Sequence, residues 1–328
     1  MEAVLTLLTV KDLKTHLHLR RGVVKAVNGV SFTVAAGETL GLIGESGSGK
    51  TMTGLSLLGL LPQPVGRIVD GSINLLGREL TDLDQATYAT EIRGKEIAMI
   101  SQDPMTSLNP VFSIGNQVAA PIKRHGYDAE HTALELATEE LRRVRVPSAE
   151  VRVRDFPHQF SGGMRQRVVA AMATSCRPKM LIADEPTSAL DVTIQVQLMD
   201  LLDQLQDEFG IGLLFITHDL GVAASLCDRV AVMYAGSVVE SAPVAELYAA
   251  PAHPYTRGLL ASVPKLSGAK KRNKERLYSI PGTPPDPLHL PEGCAFAPRC
   301  ELATDQCRSE SPPLVKIAGR EIACFEVS

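Results

Sequence analysis

GESGSGKT, residues 44–51, follows the apolar run ETLGLIG (38–44) and leads into a stretch with helical character. It satisfies G-x-x-x-x-G-K-[ST] on a strand-to-helix turn, the context in which that pattern marks a phosphate-binding loop. Gly44, Gly47 and Gly49 let the backbone turn tightly. The successive N–H groups of the loop, Glu45, Ser46 and Ser48 included, and the following helix N-terminus can then surround phosphate oxygens. Lys50 is placed to reach β- and γ-phosphates, and Thr51 to ligate Mg²⁺.

The same reading extends outward from the loop. EIAMIS (96–101), MLIADE (180–185), IGLLFITH (211–218) and DRVAVMY (228–234) are short apolar runs of the kind buried on both faces of a sheet. Segments 129–145 and 192–209 are amphipathic at helical spacing. Together they predict an α/β sheet with helices on its faces. VVKAVNGVSFTV (23–34) and SINLLG (72–77) predict a strand pair in an antiparallel sheet beside the loop. Between residues 103 and 178 strand signals give way to helical ones, so a helical subdomain is expected there.

LIADEPTSALD (181–191) is an apolar strand ending in two acids. Behind a phosphate loop, Asp184 is placed to hold the Mg²⁺ shell and Glu185 to polarise an attacking water. FSGGMRQR (160–167) sets a serine and two glycines at a helix start, a ready anion site and also an ordinary N-cap.

These pieces, in this order, resemble the ATP-binding-cassette (ABC) ATPases, with a RecA-like sheet, an antiparallel β subdomain and an inserted helical subdomain. The resemblance implies that Ser161, Gly162 and Gly163 bind the γ-phosphate of ATP held by a partner subunit. It makes Gln102, in ISQDP, the Q-loop glutamine that touches Mg²⁺ or water, and His218, in FITHDL, the switch histidine. Asp191, after Ser188 and Ala189, falls on the loop that crosses between subunits. The family commonly stacks an aromatic ring on adenine from an early strand. DLKTHLHL places Leu17 there, flanked by His16 and His18, and leaves the stacking contact open.

SQDPMTSLNPVFSIGNQ (101–117), AHPYTRGLLASVPKL (252–266) and PGTPPDPLHLPEGCAFAPRC (281–300) are similar to the ATP-binding subunits of dipeptide/oligopeptide importers, over essentially the whole chain. The organisation so implied is a nucleotide-binding domain over 1–252, with its helical subdomain at about 103–178, and a cysteine-bearing extension over 253–328. The implied partners are two membrane permease subunits, a second homologous cassette and an extracytoplasmic peptide-binding protein, at the cytoplasmic face of the cell membrane. Nickel importers share the architecture. A DNA-handling cassette is the reading from another class. It is disfavoured because the chain has no sustained heptad insertion, 4% aromatic residues and no Trp to interleave with Lys and Arg. A silent regulatory cassette is disfavoured by Lys50, Gln102, Asp184, Glu185 and His218 all being present.

Bulk properties agree. A length of 328 residues exceeds one comfortable core, and a net charge of −4 with pI near 6.1 gives no reason to expect nucleic acid. No run approaches the roughly 20 apolar residues that span a bilayer, and MEAVLTLLTVKDLK lacks secretory features, so a cytosolic chain is expected. His253-Pro254 is a helix-starting turn. KKRNKER (270–276) is a solvated linker face or a basic contact with lipid or permease loops.

Cys176 and Cys227 fall in predicted helices and are expected to pack as small apolar groups. Cys294, Cys300, Cys307 and Cys324 are spaced C-x5-C-x6-C-x16-C, in a segment too poor in apolar periodicity for its own core. Disulfides are disfavoured beside a cytosolic ATPase. The loose spacing suits an iron–sulfur cluster, written as [4Fe-4S], better than zinc, which usually brings a C-x2-4-C pair; zinc and no metal remain open.

Overall fold

The structure, a computed structural model, describes residues 5–126, 132–188, 190–263 and 278–327. Its apolar runs form an eight-stranded sheet around β3 (Thr39–Ile43), flanked by a four-stranded one. In chain order the other strands are β1 (Thr6–Leu19), β2 (Gly22–Ala35), β4 (Gly66–Leu75), β5 (Arg78–Glu79), β6 (Ile97–Ile100), β7 (Met180–Asp184), β8 (Gly212–Thr217), β9 (Arg229–Tyr234), β10 (Ser237–Pro243), β11 (Val315–Ile317) and β12 (Arg320–Ile322).

The large sheet runs β11-β12-β10-β9-β3-β8-β7-β6. Strands β6, β7, β8, β3 and β9 are parallel, and β10, β12 and β11 continue the edge in antiparallel fashion. Every residue of β3, β7 and β8 is buried, as expected for strands covered on both faces. Alternation assigns their side chains to two cores. Leu181, Ala183, Leu213 and Phe215 join the helical side with Val118, Leu141 and Val168. Leu40, Leu42, Ile182, Leu214 and Ile216 join the side of the small sheet with Leu13, Val30 and Phe32. Each buried Leu, Ile or Phe among them contributes roughly 1.5–3 kcal/mol, and a shift of one residue in register would swap the two sets between the cores and mismatch both at once.

The small sheet is ordered β2-β1-β4-β5. The segments expected to form one strand pair share this sheet but do not touch as neighbours. Strand β1 lies between them and pairs antiparallel with both. The reason is that β1 carries its own alternating apolar face, Leu8, Val10 and Leu13, all essentially buried. Among the described residues of 103–178 there is no strand. Helices Ile114–His125, Ala133–Arg143 and Gly162–Thr174 dominate, the first two capped by Ser113 and Thr132.

Cys176 and Cys227 are buried, but each sits just past a helix end, after Gly162–Thr174 and Leu220–Leu226, not within the helix. Burial pushes the Cys227 thiol up to about 12, which fits an inert packing role. His253 caps helix Pro254–Ser262, its Nδ1 accepting from the Tyr255 N–H at 3.0 Å. The basic run 270–276 lies outside the described residues. No helix among the described residues is long and apolar enough to cross a membrane.

Candidate active site

Helix Lys50–Leu57 lies directly on the sheet: a Cβ on Gly54 would stand 3.2 Å from Ile216 and 3.3 Å from Ile182. Residues 44–49 therefore have to turn from the end of β3 into the helix within a few ångströms of neighbouring backbone. Gly49, its N-cap, has φ +104°, and a Cβ there would stand 2.3 Å from the Ala26 carbonyl oxygen. A Cβ on Gly44 would stand 2.2 Å from the Met233 carbonyl oxygen. These are positions where close backbone approach demands glycine.

The loop lines an open cavity of about 740 Å³ with Gln102, Glu185 and His218, a size that accommodates a nucleotide. Lys50 is 5% exposed, and its Nζ donates to the Gly44 carbonyl at 2.8 Å and the Glu45 carbonyl at 3.0 Å. Burial lowers its pKa, against the raising effect of Glu185, Asp184 and Glu45. Asp184 ends β7, and Thr51 Oγ1 donates to its Oδ1 at 3.2 Å. Burial raises the Asp184 pKa, opposed by that hydrogen bond. Both charges are thus held out of water at a cost. A polyphosphate beside Lys50 and a divalent cation beside Thr51 and Asp184 supply the opposite charges that such burial calls for.

Glu185 has φ +45°, uncommon for a side-chain-bearing residue, and its N–H donates to the Ile216 carbonyl at 2.9 Å. The turn aims its carboxylate between two neighbours from separate loops. Gln102 Nε2 donates to Oε2 at 3.0 Å, and His218 Nδ1 lies 3.1 Å from Oε1. Strained backbone of this kind concentrates where a side chain must be aimed.

The structure does not bring every sequence-picked residue into this cavity. Ser161 caps helix Gly162–Thr174, accepting from the Met164 N–H at 3.3 Å, and Asp191 caps helix Val192–Phe209, accepting from the Ile194 N–H at 3.0 Å. A Cβ on Gly163 would stand 2.8 Å from Ile194, so these two helix starts abut. None of Ser161, Gly162, Gly163 and Asp191 lines the phosphate cavity of their own chain. Leu17 is half-buried in β1 between Val24 and Gly66; it, His16 and His18 also stay out of the cavity.

The cavity's apolar lining comes from elsewhere: Val24 and Ala26 on β2, and Pro284, Pro285, Pro287 and Leu290. Sequence reasoning missed that set, and also Arg299, Tyr234 and Tyr255. Arg299 donates to the Glu45 carboxylate through Nη1 at 2.9 Å and Nη2 at 3.2 Å. Tyr255 Oη accepts from the Glu45 N–H at 3.0 Å. The partners are 254 and 210 residues apart, and no local pattern announces a pair at such separation.

Cys294, Cys300, Cys307 and Cys324 converge on one small apolar cavity bordered by His253 and Phe296, and none is in a disulfide. Burial raises the thiols of Cys294, Cys300 and Cys324, and nearby cysteines add to it. The convergence fits the expected set of four, and sulfur donors in an apolar lining suit an iron–sulfur cluster. Their side chains are nevertheless not drawn together for coordination: among the described residues no group of three or more His, Cys, Asp or Glu is arranged to hold a metal ion.

A mononucleotide-binding sheet with a phosphate loop, paired strand-end acids and an exposed Ser-Gly-Gly helix start defines an ABC-type ATPase. Residues 27–188 match the ABC transporter family, and residues 239–307 match the oligopeptide/dipeptide transporter C-terminal region. The chain is 48% identical over 321 residues to the oligopeptide transport ATP-binding protein AppD of Bacillus subtilis, covering 98% of this chain and 96% of that one. It is 50% identical over 303 residues to the oligopeptide transport ATP-binding protein OppD of Haemophilus influenzae, with 92% and 91% covered. The ATP-binding cassette MJ0796, in a dimeric post-hydrolysis state bound to ADP and Pi, superposes with TM-score 0.64 at 26% identity, covering 72% of this chain and 98% of that one. The chain belongs to the family of ATP-binding proteins of ABC peptide importers, and it is an ATPase of that family.

Proposed function

We propose that the chain energises import of di- or oligopeptides by closing, with ATP, against a second cassette beneath two permease subunits at the cytoplasmic face of the cell membrane. The observation that carries the two-cassette reading is the position of Ser161–Gly163. This anion-binding helix start is absent from the phosphate cavity of its own chain and is free to complete the cavity of another. The dimeric state of MJ0796 supports the same arrangement. The names of the relatives favour a peptide cargo over nickel, and a distinct homologue as the second cassette remains the reading carried from the family, with an extracytoplasmic binding protein delivering the cargo. Residues 1–252 serve as the nucleotide-binding domain and 253–328 as its extension.

Within the site, loop N–H groups and Lys50 bind the phosphates. Thr51, Asp184 and Gln102 would hold Mg²⁺, which spreads the charge developing on the transferred phosphoryl group. Glu185 takes the proton from the attacking water, oriented by Gln102 and His218 on its two oxygens. Ser161 and the Gly162 and Gly163 amides meet the γ-phosphate from the facing cassette, and Asp191 lies at the crossing between the two.

ATP turnover by the chain mixed with its partner cassette is expected to exceed that of either alone and to rise more steeply than linearly with the concentration of the pair. In proteoliposomes with permease subunits and partner cassette it is expected to rise further with peptide and binding protein. Turnover strictly proportional to concentration, unaffected by partners, would sink the two-cassette reading; stimulation by nickel and not by peptide would reassign the cargo.

We propose further that Cys294, Cys300, Cys307 and Cys324 carry a [4Fe-4S] cluster, supported by their convergence on one apolar cavity and by their loose spacing. The thiols would have to move closer together to hold it. Anaerobically purified protein is expected to contain iron and acid-labile sulfide in matching amounts, and Cys300→Ser to lose most of both. Zinc in their place, or full iron content in Cys300→Ser, would remove the cluster.

A further inference from the structure

Glu45, the second residue of the phosphate loop, is gripped at three points. Its N–H is bonded to Tyr255 Oη, its carbonyl accepts from Lys50 Nζ, and its carboxylate receives the Arg299 fork. Arg299 has a side chain only 5% exposed, against 30% for Glu45. Two further donors are used as well: Nε to the Pro281 carbonyl at 2.9 Å, and Nη1 also to Tyr234 Oη at 3.3 Å. The guanidinium stands over the rings of Tyr234 and Phe296, and Phe296 meets Tyr234 edge-on at 5.2 Å and Tyr255 at 5.4 Å. A buried, two-pronged charged pair of this kind fixes geometry in a way that a lysine point charge does not.

The other end of the same network leads back to the cavity. Pro281, held by Arg299, begins a strap whose Pro284, Pro285, Pro287 and Leu290 line the nucleotide cavity beside Val24 and Ala26. The strap is tied to β2 where the Lys25 N–H donates to the Pro287 carbonyl at 3.3 Å. Phosphates take the polar loop, and this wall is an apolar surface of the same cavity against which base and ribose can lie. Leu17 contributes nothing to it.

We propose that Arg299 is a positioning residue of the nucleotide site: it holds the phosphate loop through Glu45 and anchors the 281–290 strap, against which the base and ribose lie. The inference rests on the ATPase reading and is independent of what the four cysteines carry. It makes the cysteine-bearing segment a working part of nucleotide binding.

The test is equilibrium binding of a fluorescent ATP analogue to the full chain, with kcat and KM for ATP measured alongside. Arg299→Ala is expected to weaken binding and raise KM by about tenfold, with kcat at saturating ATP within about twofold, because the contact acts on the bound nucleotide and not on water attack. Arg299→Lys should recover only part of the loss. Glu45→Ala should weaken binding by less, since it leaves the Arg299–Pro281 anchor in place, and the double variant should be no worse than Arg299→Ala, since the loop contact can be lost only once. Replacing Pro284, Pro285 and Pro287 by serine should weaken ATP while leaving inorganic triphosphate binding unchanged. Unaltered affinity in folded Arg299→Ala, or additive losses in the double variant, would overturn the proposal. Should Arg299→Ala fail to fold, Glu45→Ala reads the same contact from the loop side, and unchanged affinity there is equally decisive against it.

Discussion

Glu185→Gln is expected to cut ATP turnover by about 1000-fold while leaving ATP affinity within about threefold, since general-base assistance is typically worth 10²–10⁴. The amide keeps the size of the side chain and can still meet Gln102 and His218, so the loop geometry persists, but it cannot accept a proton. Gln102 and His218 approach opposite oxygens of Glu185 at 3.0 and 3.1 Å, an arrangement that orients a base and does not replace it. His218, with a side chain 60% exposed, is expected to cost less when changed to Ala. On the proposed reading, in which hydrolysis releases an ATP-bound pair of cassettes, the Glu185→Gln protein mixed with its partner cassette should also elute as a complex in ATP and as separate chains without it. Single-turnover hydrolysis and size-exclusion chromatography read the two effects separately. Turnover at the normal rate would remove Glu185 from the catalytic role. Slow turnover with no trapped complex in the presence of the partner cassette would instead detach hydrolysis from cassette opening.

What the sequence made legible is what local pattern encodes. The phosphate loop, the acids at the end of β7 and the five parallel strands follow from short-range spacing and from apolar runs with no polar face. Their positions are recovered to within a residue or so, as for β8 over Gly212–Thr217. Partnership was less legible. Two segments of correct strand character were expected to pair, yet β1 separates them, because pairing depends on which buried faces match and not on strand propensity. The hairpin of β11 and β12 was missed for a related reason: its strands are three residues each, and they are defined by joining the edge at β10.

The candidate site divides in the same way. Residues that meet phosphate or water sit in motifs because the chemistry fixes their type and spacing. Arg299, Tyr255 and the proline strap sit outside any motif, since support can come from any segment that folds back to the right place. The Arg299–Glu45 pair, 254 residues apart, is visible only once the chain is folded. Leu17 shows the same limit: the sequence left the stacking contact at this position open, the residue does not line the cavity, and the apolar wall is drawn from β2 and from the far end of the chain.

Gly49→Ala is expected to weaken ATP binding by at least about 100-fold, equivalent to about 2.7 kcal/mol, with the fold retained. Two costs act together. Gly49 has φ +104°, where a side-chain-bearing residue costs on the order of 1–3 kcal/mol. The added methyl would also stand 2.3 Å from the Ala26 carbonyl oxygen and 3.2 Å from Met233 Cε. Methionine can swing aside, but Ala26 is backbone of β2, held on both sides by Lys25 and Val27 pairing with His16 and Thr15 of β1, so the loop must give way. Gly49 immediately precedes Lys50, and its displacement carries the phosphate-facing amides and the Lys50 ammonium with it. Gly47→Ala is the informative comparison, because Gly47 has φ +80° but nothing within 4 Å of an added Cβ. It incurs the backbone cost alone and should weaken binding by about tenfold. Isothermal titration with ATP and Mg²⁺, beside circular dichroism to check the fold, measures both. If the two alanine variants bind equally, collision with Ala26 is not what requires glycine at Gly49, and backbone conformation alone accounts for the loop's composition.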